Sequence, residues 1–76
     1  MRDTVIEVLK AQFGADVVYE DNVHIIDDLD GDEFSLVELG VALDEKLNIS
    51  LDEVKILEVG TVGDLIALVE SHVQSD

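Results

Sequence analysis

The chain has 76 residues, enough for one small domain near the lower end of what folds on a single core. Hydrophobic residues make up 47% of it, which excludes a disordered chain despite a formal net charge of −15 from 19 acids and four bases. The absence of cysteine excludes a disulfide framework, a thiolate metal site and a cysteine nucleophile, and so acidic a surface repels nucleic acid and anionic membranes while attracting basic patches on other proteins.

The N-terminal stretch MRDTVIEVLKAQF is charged throughout and lacks the apolar run of a signal peptide or a membrane span, so a soluble, cytoplasmic monomer is expected. Thr4 and Glu7 have the spacing of a capping box, and Val5, Val8, Leu9 and Phe13 follow with helical period. This predicts a first helix of about three turns that ends at Gly14. Residues 15–32 carry Val17, Val18, Val23, Ile25, Ile26 and Leu29 without helical period, which predicts a long loop pinned onto the core by its aliphatic residues. Residues 33–47 predict the longest helix. Ser50 with Glu53 predicts the cap of a short segment, LDEVKIL. Thr61 with Asp64 caps a last helix that buries Val62, Leu65, Ile66, Leu68, Val69 and Val73. With no tryptophan and three other aromatics, the core is aliphatic. The sum is an all-α fold: a four-helix bundle of three long helices and one short, with a long first loop, in a single domain over residues 1–76. The alternative is mixed α/β, and it requires DVVYEDNVHII to pair as a hairpin that would be marginal by itself.

The second helix has two apolar faces. At about 100° per residue, Leu36, Leu39, Leu43 and Leu47 form one stripe, the core face. Phe34, Val37 and Val41 lie nearly opposite, among Glu38 and Glu45, with Asp44 and Glu33 on one shoulder and Ser35, Ala42 and Lys46 on the other. Apolar residues rimmed by acids predict a partner surface, unless the long loop folds back over them.

Other chemistry fits poorly. In DDLDGD, a calcium loop that starts at Asp28 puts Gly31 in the fourth place instead of the sixth, and one that starts at Asp27 puts Leu29 in a ligand place, so no metal site is expected. His24 and His72 assemble no nucleophilic triad, and His72 reads as a partner for the negative end of the last helix. Gly60 and Gly63 read as a turn instead of a phosphate loop. No catalytic residues are expected, and the chain does not read as an enzyme.

The order of helix, long loop, DLDGDEFSLVELGVALDEKL, short capped segment and TVGDLIALVESHV resembles the acyl carrier protein family over nearly the whole chain. In that family an Asp-Ser-Leu-like triplet opens the second helix and Val-Glu-Leu follows. Here Val-Glu-Leu is Val37, Glu38 and Leu39, so the count back puts the family's serine at position 33, between Asp32 and Phe34. Position 33 is Glu. The resemblance implies a 4′-phosphopantetheine arm joined to a serine by a phosphodiester, and a carboxylate cannot form that link. It implies cofactor-site positions at Asp32, Glu33 and Phe34, and a docking face of Ser35, Val37, Glu38, Val41, Asp44 and Glu45. That face would meet basic patches on acyl-transfer, synthase or phosphopantetheinyl transferase enzymes of fatty-acid or polyketide-type biosynthesis. In an arm-bearing relative, an acyl chain would tuck between helices lined by Leu and Val. Natural loss of the serine and deliberate Ser-to-Glu replacement are both consistent with the sequence. So is a regulatory or scaffold module that uses the same face without a cofactor.

Overall fold

The computed structural model describes residues 2–73. It contains α1 (Arg2–Phe13), α2 (Glu33–Leu47), α3 (Glu53–Leu57) and α4 (Val62–His72), the expected three long helices and one short. The hairpin alternative is not formed: the bridge outside the helices joins His24 to Thr61, not the two halves of the loop to each other. No described helix is long and apolar enough to cross a membrane.

Each helix buries the stripe that its period predicts. Val5, Val8 and Leu9 of α1 meet Leu36, Leu39 and Leu43 of α2, Ile56 of α3, and Val62, Leu65, Ile66 and Val69 of α4. Full burial of each leucine contributes about 1.5–3 kcal/mol. Leu47, Leu68 and Val73 pack at the edge of this core, half-buried. Ile25 and Tyr19, both from the long loop, are buried in it as well.

The helix ends hold two corrections. Thr4 is not the cap of α1, because the helix already begins at Arg2 and Thr4 lies half-buried inside it. Ser50 does not cap α3. Its cap is Asp52, which accepts the Val54 amide at 2.9 Å. The reason lies in α2: Asp44 Oδ1 accepts the Leu51 amide at 2.8 Å, which holds the chain at Leu51 outside the helix. Other ends form as read. At Gly14, φ is +120°, and its amide closes α1 onto the Lys10 carbonyl. Thr61 and Asp64 make the full capping box of α4.

The long loop is pinned, though not by every aliphatic residue in it. Val17, Val23 and Leu29 pack against the core, while Val18 and Ile26 are exposed. Backbone contacts add to this. The amides of Val62 and Gly63, at the start of α4, donate to the carbonyls of Val23 and Asp21 at 2.9 Å each, and the Ile25 amide donates to Gly60 at 3.0 Å. The first turn of α4 thus finds acceptors for its free amides in the loop. The loop in turn delivers Asp32 to the start of α2.

Candidate functional site

Asp32 leaves the loop in extended conformation and caps α2, its Oδ1 accepting the Ser35 amide at 2.9 Å. The same oxygen accepts the Ser35 hydroxyl at 3.1 Å. Ser35 is half-buried, and its backbone carbonyl accepts Gln12 Nε2 of α1 at 2.8 Å. Glu33 and Phe34 are the first two residues of the helix, and both are exposed. A carboxylate in this first turn complements the positive end of the helix dipole.

Along the outer side of α2, Phe34 is 79% exposed and Val41 52%, while Leu36, Leu39 and Leu43 on the opposite side are at most 1% exposed. The long loop therefore does not fold back over Phe34 and Val41. Val37 is half-buried between them, and Glu38 and Glu45 are exposed beside them. This side of α2 is a strip of apolar atoms among carboxylates.

Of the residues singled out in the sequence, Phe34, Val37, Glu38, Val41 and Glu45 share that strip, with Asp32 and Glu33 at its upper end. Two stand apart. Ser35 is tied to Asp32 and α1, and Asp44 is half-buried with one oxygen engaged by the Leu51 amide. Between α2 and α3 the remaining space is small, about 90 Å³, lined by Val37, Gly40, Val41, Leu51 and Ile56 among others. Ile56 fills this region because Gly40 has no side chain: a Cβ at Gly40 would lie 3.2 Å from Ile56 Cγ1. Sequence reading missed Gln12 and Gly40, whose partners are distant in the chain and leave no local pattern. Among the described residues, no group of three or more His, Asp or Glu side chains is arranged to hold a metal ion.

The family model described as "Phosphopantetheine attachment site" matches residues 2–69, which takes in α1, the loop, α2, α3 and most of α4. An acyl carrier protein of Chlamydia caviae is 32% identical over 73 residues, 95% of each chain. The chain belongs to the acyl carrier protein family. A second relative, an acyl carrier protein of Wolinella succinogenes, is 36% identical over 47 residues, 62% of each chain. Acyl carrier proteins are carriers and not enzymes. The family's cofactor is 4′-phosphopantetheine, and its members work by meeting biosynthetic enzymes. The four-helix architecture predicted from the sequence agrees with this membership.

Proposed function

We propose that this acyl carrier family member acts in fatty-acid or polyketide-type biosynthesis as a cytoplasmic monomer of one domain, docking to partner enzymes through the outer side of α2. The observation that carries the reading is the exposure of Phe34 and Val41 on a helix whose opposite side is fully buried. Nothing in the fold requires an aromatic ring in water at that place. Phe34, Val37 and Val41 would enter an apolar recess on the partner. Asp32, Glu38 and Glu45 would meet its Lys and Arg residues, with Ser35 and the half-buried Asp44 at the margin. Opposite charge raises the encounter rate, and the desolvated apolar centre supplies most of the affinity.

In this reading Glu33 stands where the family's attachment serine belongs. The hydroxyl nearest to it in sequence, Ser35, is half-buried and hydrogen-bonded to Asp32. The side chains at the start of α2 therefore do not fit a serine-linked arm, and the chain as it stands would meet its partners without a cargo. The test is intact-mass spectrometry after incubation with coenzyme A and a broad-specificity phosphopantetheinyl transferase, beside Glu33→Ser. The expected result is one added phosphopantetheine on the variant and none on the unaltered chain. Modification of the unaltered chain would instead make Ser35 or another hydroxyl the attachment point. If neither gains mass, the carrier assignment of position 33 fails.

A second reading is a regulatory or scaffold module that uses the same acidic side and never holds an acyl group. The small space between α2 and α3 favours it, because the interior offers an acyl chain little room.

A further inference from the structure

Asp30 and Gly31 end the long loop just before Asp32 caps α2, and the fold dictates both of them. Asp30 has φ +58°, in the left-handed region that few side chains enter and short polar ones enter most readily. Gly31 has no room for a side chain: a Cβ there would lie 3.0 Å from the Ile25 carbonyl oxygen and 3.3 Å from the ring of Phe13. Nowhere else in the sequence does glycine follow an aspartate or an asparagine.

Aspartate before glycine is the pairing at which a peptide backbone rearranges most readily, because no Cβ shields the attacking nitrogen. The Gly31 nitrogen attacks Cγ of the protonated Asp30 carboxyl. A C–N bond forms, the Cγ–OH bond breaks, and the hydroxyl leaves as water with the amide proton. The product is a five-membered succinimide, which water then opens. Attack on the Cγ carbonyl restores aspartate. Attack on the α-carbonyl leaves Gly31 joined through Cγ, an isoaspartate with a free α-carboxyl. One water leaves and one returns, and nothing is oxidised or reduced.

The folded chain restrains the attacking atom. The Gly31 amide donates to the Ile25 carbonyl at 3.1 Å, and a succinimide nitrogen has no proton to donate. In the same loop the Asp28 and Leu29 amides donate to the His24 carbonyl at 2.8 and 3.2 Å, and Asp28 Oδ2 accepts the His24 amide at 2.8 Å. Residues 24–31 thus form a closed unit that has to open before the ring can close. The Asp30 side chain is exposed, so its carboxyl and the water that opens the ring need no further access.

We propose that Asp30–Gly31 is a site of isoaspartate formation, and that the opening of the Ile25–Gly31 hydrogen bond sets its rate. The rearrangement lengthens the backbone by one carbon ahead of Asp32. Gly31 then no longer seats against both Ile25 and Phe13, and the cap that Asp32 Oδ1 gives to the Ser35 amide loosens. The free α-carboxyl is a substrate for the class of enzyme that methylates isoaspartyl peptides. The inference rests neither on Glu33 nor on the outer side of α2.

The test keeps the purified full chain at neutral pH, folded in buffer or unfolded in urea. Isoaspartate is counted by enzymatic transfer of labelled methyl groups from S-adenosylmethionine and located by electron-transfer fragmentation. Loop opening is far faster than ring closure, so the folded rate is the unfolded rate multiplied by the fraction open. Isoaspartate is expected at residue 30 in both states and at least tenfold more slowly in the fold. That slowing is expected to agree within threefold with the hydrogen-exchange protection of the Gly31 amide. Asp28→Ala, at an exposed position, removes one bond of the closed loop. It is expected to speed the folded reaction about fivefold, the effect of one ordinary hydrogen bond, and to leave the rate in urea within twofold. Asp30→Glu, which would need a six-membered ring, is expected to abolish the signal. Equal rates in buffer and urea would overturn the proposal. So would isoaspartate at other residues of the folded chain and none at residue 30, or a folded rate unmoved by Asp28→Ala. None of these outcomes bears on the mass-spectrometric result at position 33, because isomerisation leaves the mass unchanged.

Discussion

The hydroxyl of Tyr19 shows how much one atom contributes in so small a core. It lies 2.6 Å from the Gly14 carbonyl and 3.3 Å from that of Leu9, and its single proton donates to the nearer. The Gly14 carbonyl lies just past the end of α1, beyond the reach of the helix's own amides. Tyr19→Phe keeps the ring and removes the donor. The expected loss is about 1 kcal/mol, or a melting temperature lower by about 4–8 °C in a domain of this size. Burial also raises the phenol above its ordinary 10.0. The folded state thus favours the neutral form more than the unfolded chain does. The stabilisation from the intact phenol is complete below about pH 10 and is lost as pH rises through the raised folded value. The gap between the melting temperatures of the two proteins is therefore expected to narrow from neutral pH to about pH 11. A gap that is absent at pH 7, or constant to that limit, would contradict this role.

At the scale of elements, the join between the long loop and α4 sets how firmly the start of α2 is held. Gly63 permits that join. A Cβ there would lie 3.1 Å from the Asp21 carbonyl oxygen and 3.2 Å from Asp21 Cβ, so the loop must move to admit it. Gly63→Ala would gain up to about 1 kcal/mol of helix propensity in an unconstrained helix. Here overpacking against backbone costs about 1–3 kcal/mol, and it wins. A net destabilisation of about 1 kcal/mol is expected, with faster hydrogen exchange at the Ile25 and Val62 amides. Gly60→Ala, whose Cβ would meet only the end of the Asp64 side chain at 3.3 Å, serves as the control. A Gly63→Ala protein that is more stable than the parent would contradict the argument. These elements also show what the sequence makes legible. The bounds of α2, the capping box at Thr61 and Asp64, and the two faces of α2 are written in residues within a turn or two of each other, and all were readable. The start of α3 was not. Ser50–Glu53 matches a capping pattern, but Asp44, seven residues before Leu51, takes the Leu51 amide and moves the cap to Asp52. The same holds at the candidate site. Phe34 and Val41 could be placed by period, whereas Gln12 binds the Ser35 carbonyl across 23 positions of sequence that no local pattern connects.

For the whole molecule, size and charge have to be considered together. The described fold measures 33 × 23 × 19 Å, and the chain carries a net charge of −15. At about 0.01 M salt the screening length is about 30 Å, as long as the molecule, so every carboxylate acts on every other. At about 0.15 M it falls to about 8 Å, and only near neighbours interact. Unfolding separates these charges, so their repulsion destabilises the compact state, and screening relieves it. Salt also weakens the two ion pairs among the described residues, Arg2–Asp21 and Lys46–Glu7. Those pairs are largely exposed, and such pairs contribute about 0–1 kcal/mol each. Two weak attractions are set against the mutual repulsion of an excess of 15 acids, so repulsion decides the sign. The melting temperature is expected to rise by several degrees between about 0.01 and 0.15 M sodium chloride, and equally with choline chloride, since screening does not depend on which monovalent cation supplies it. A melting temperature that stays level or falls would mean that the acids are spread widely enough not to strain the fold. A rise with sodium and none with choline would replace screening by site binding.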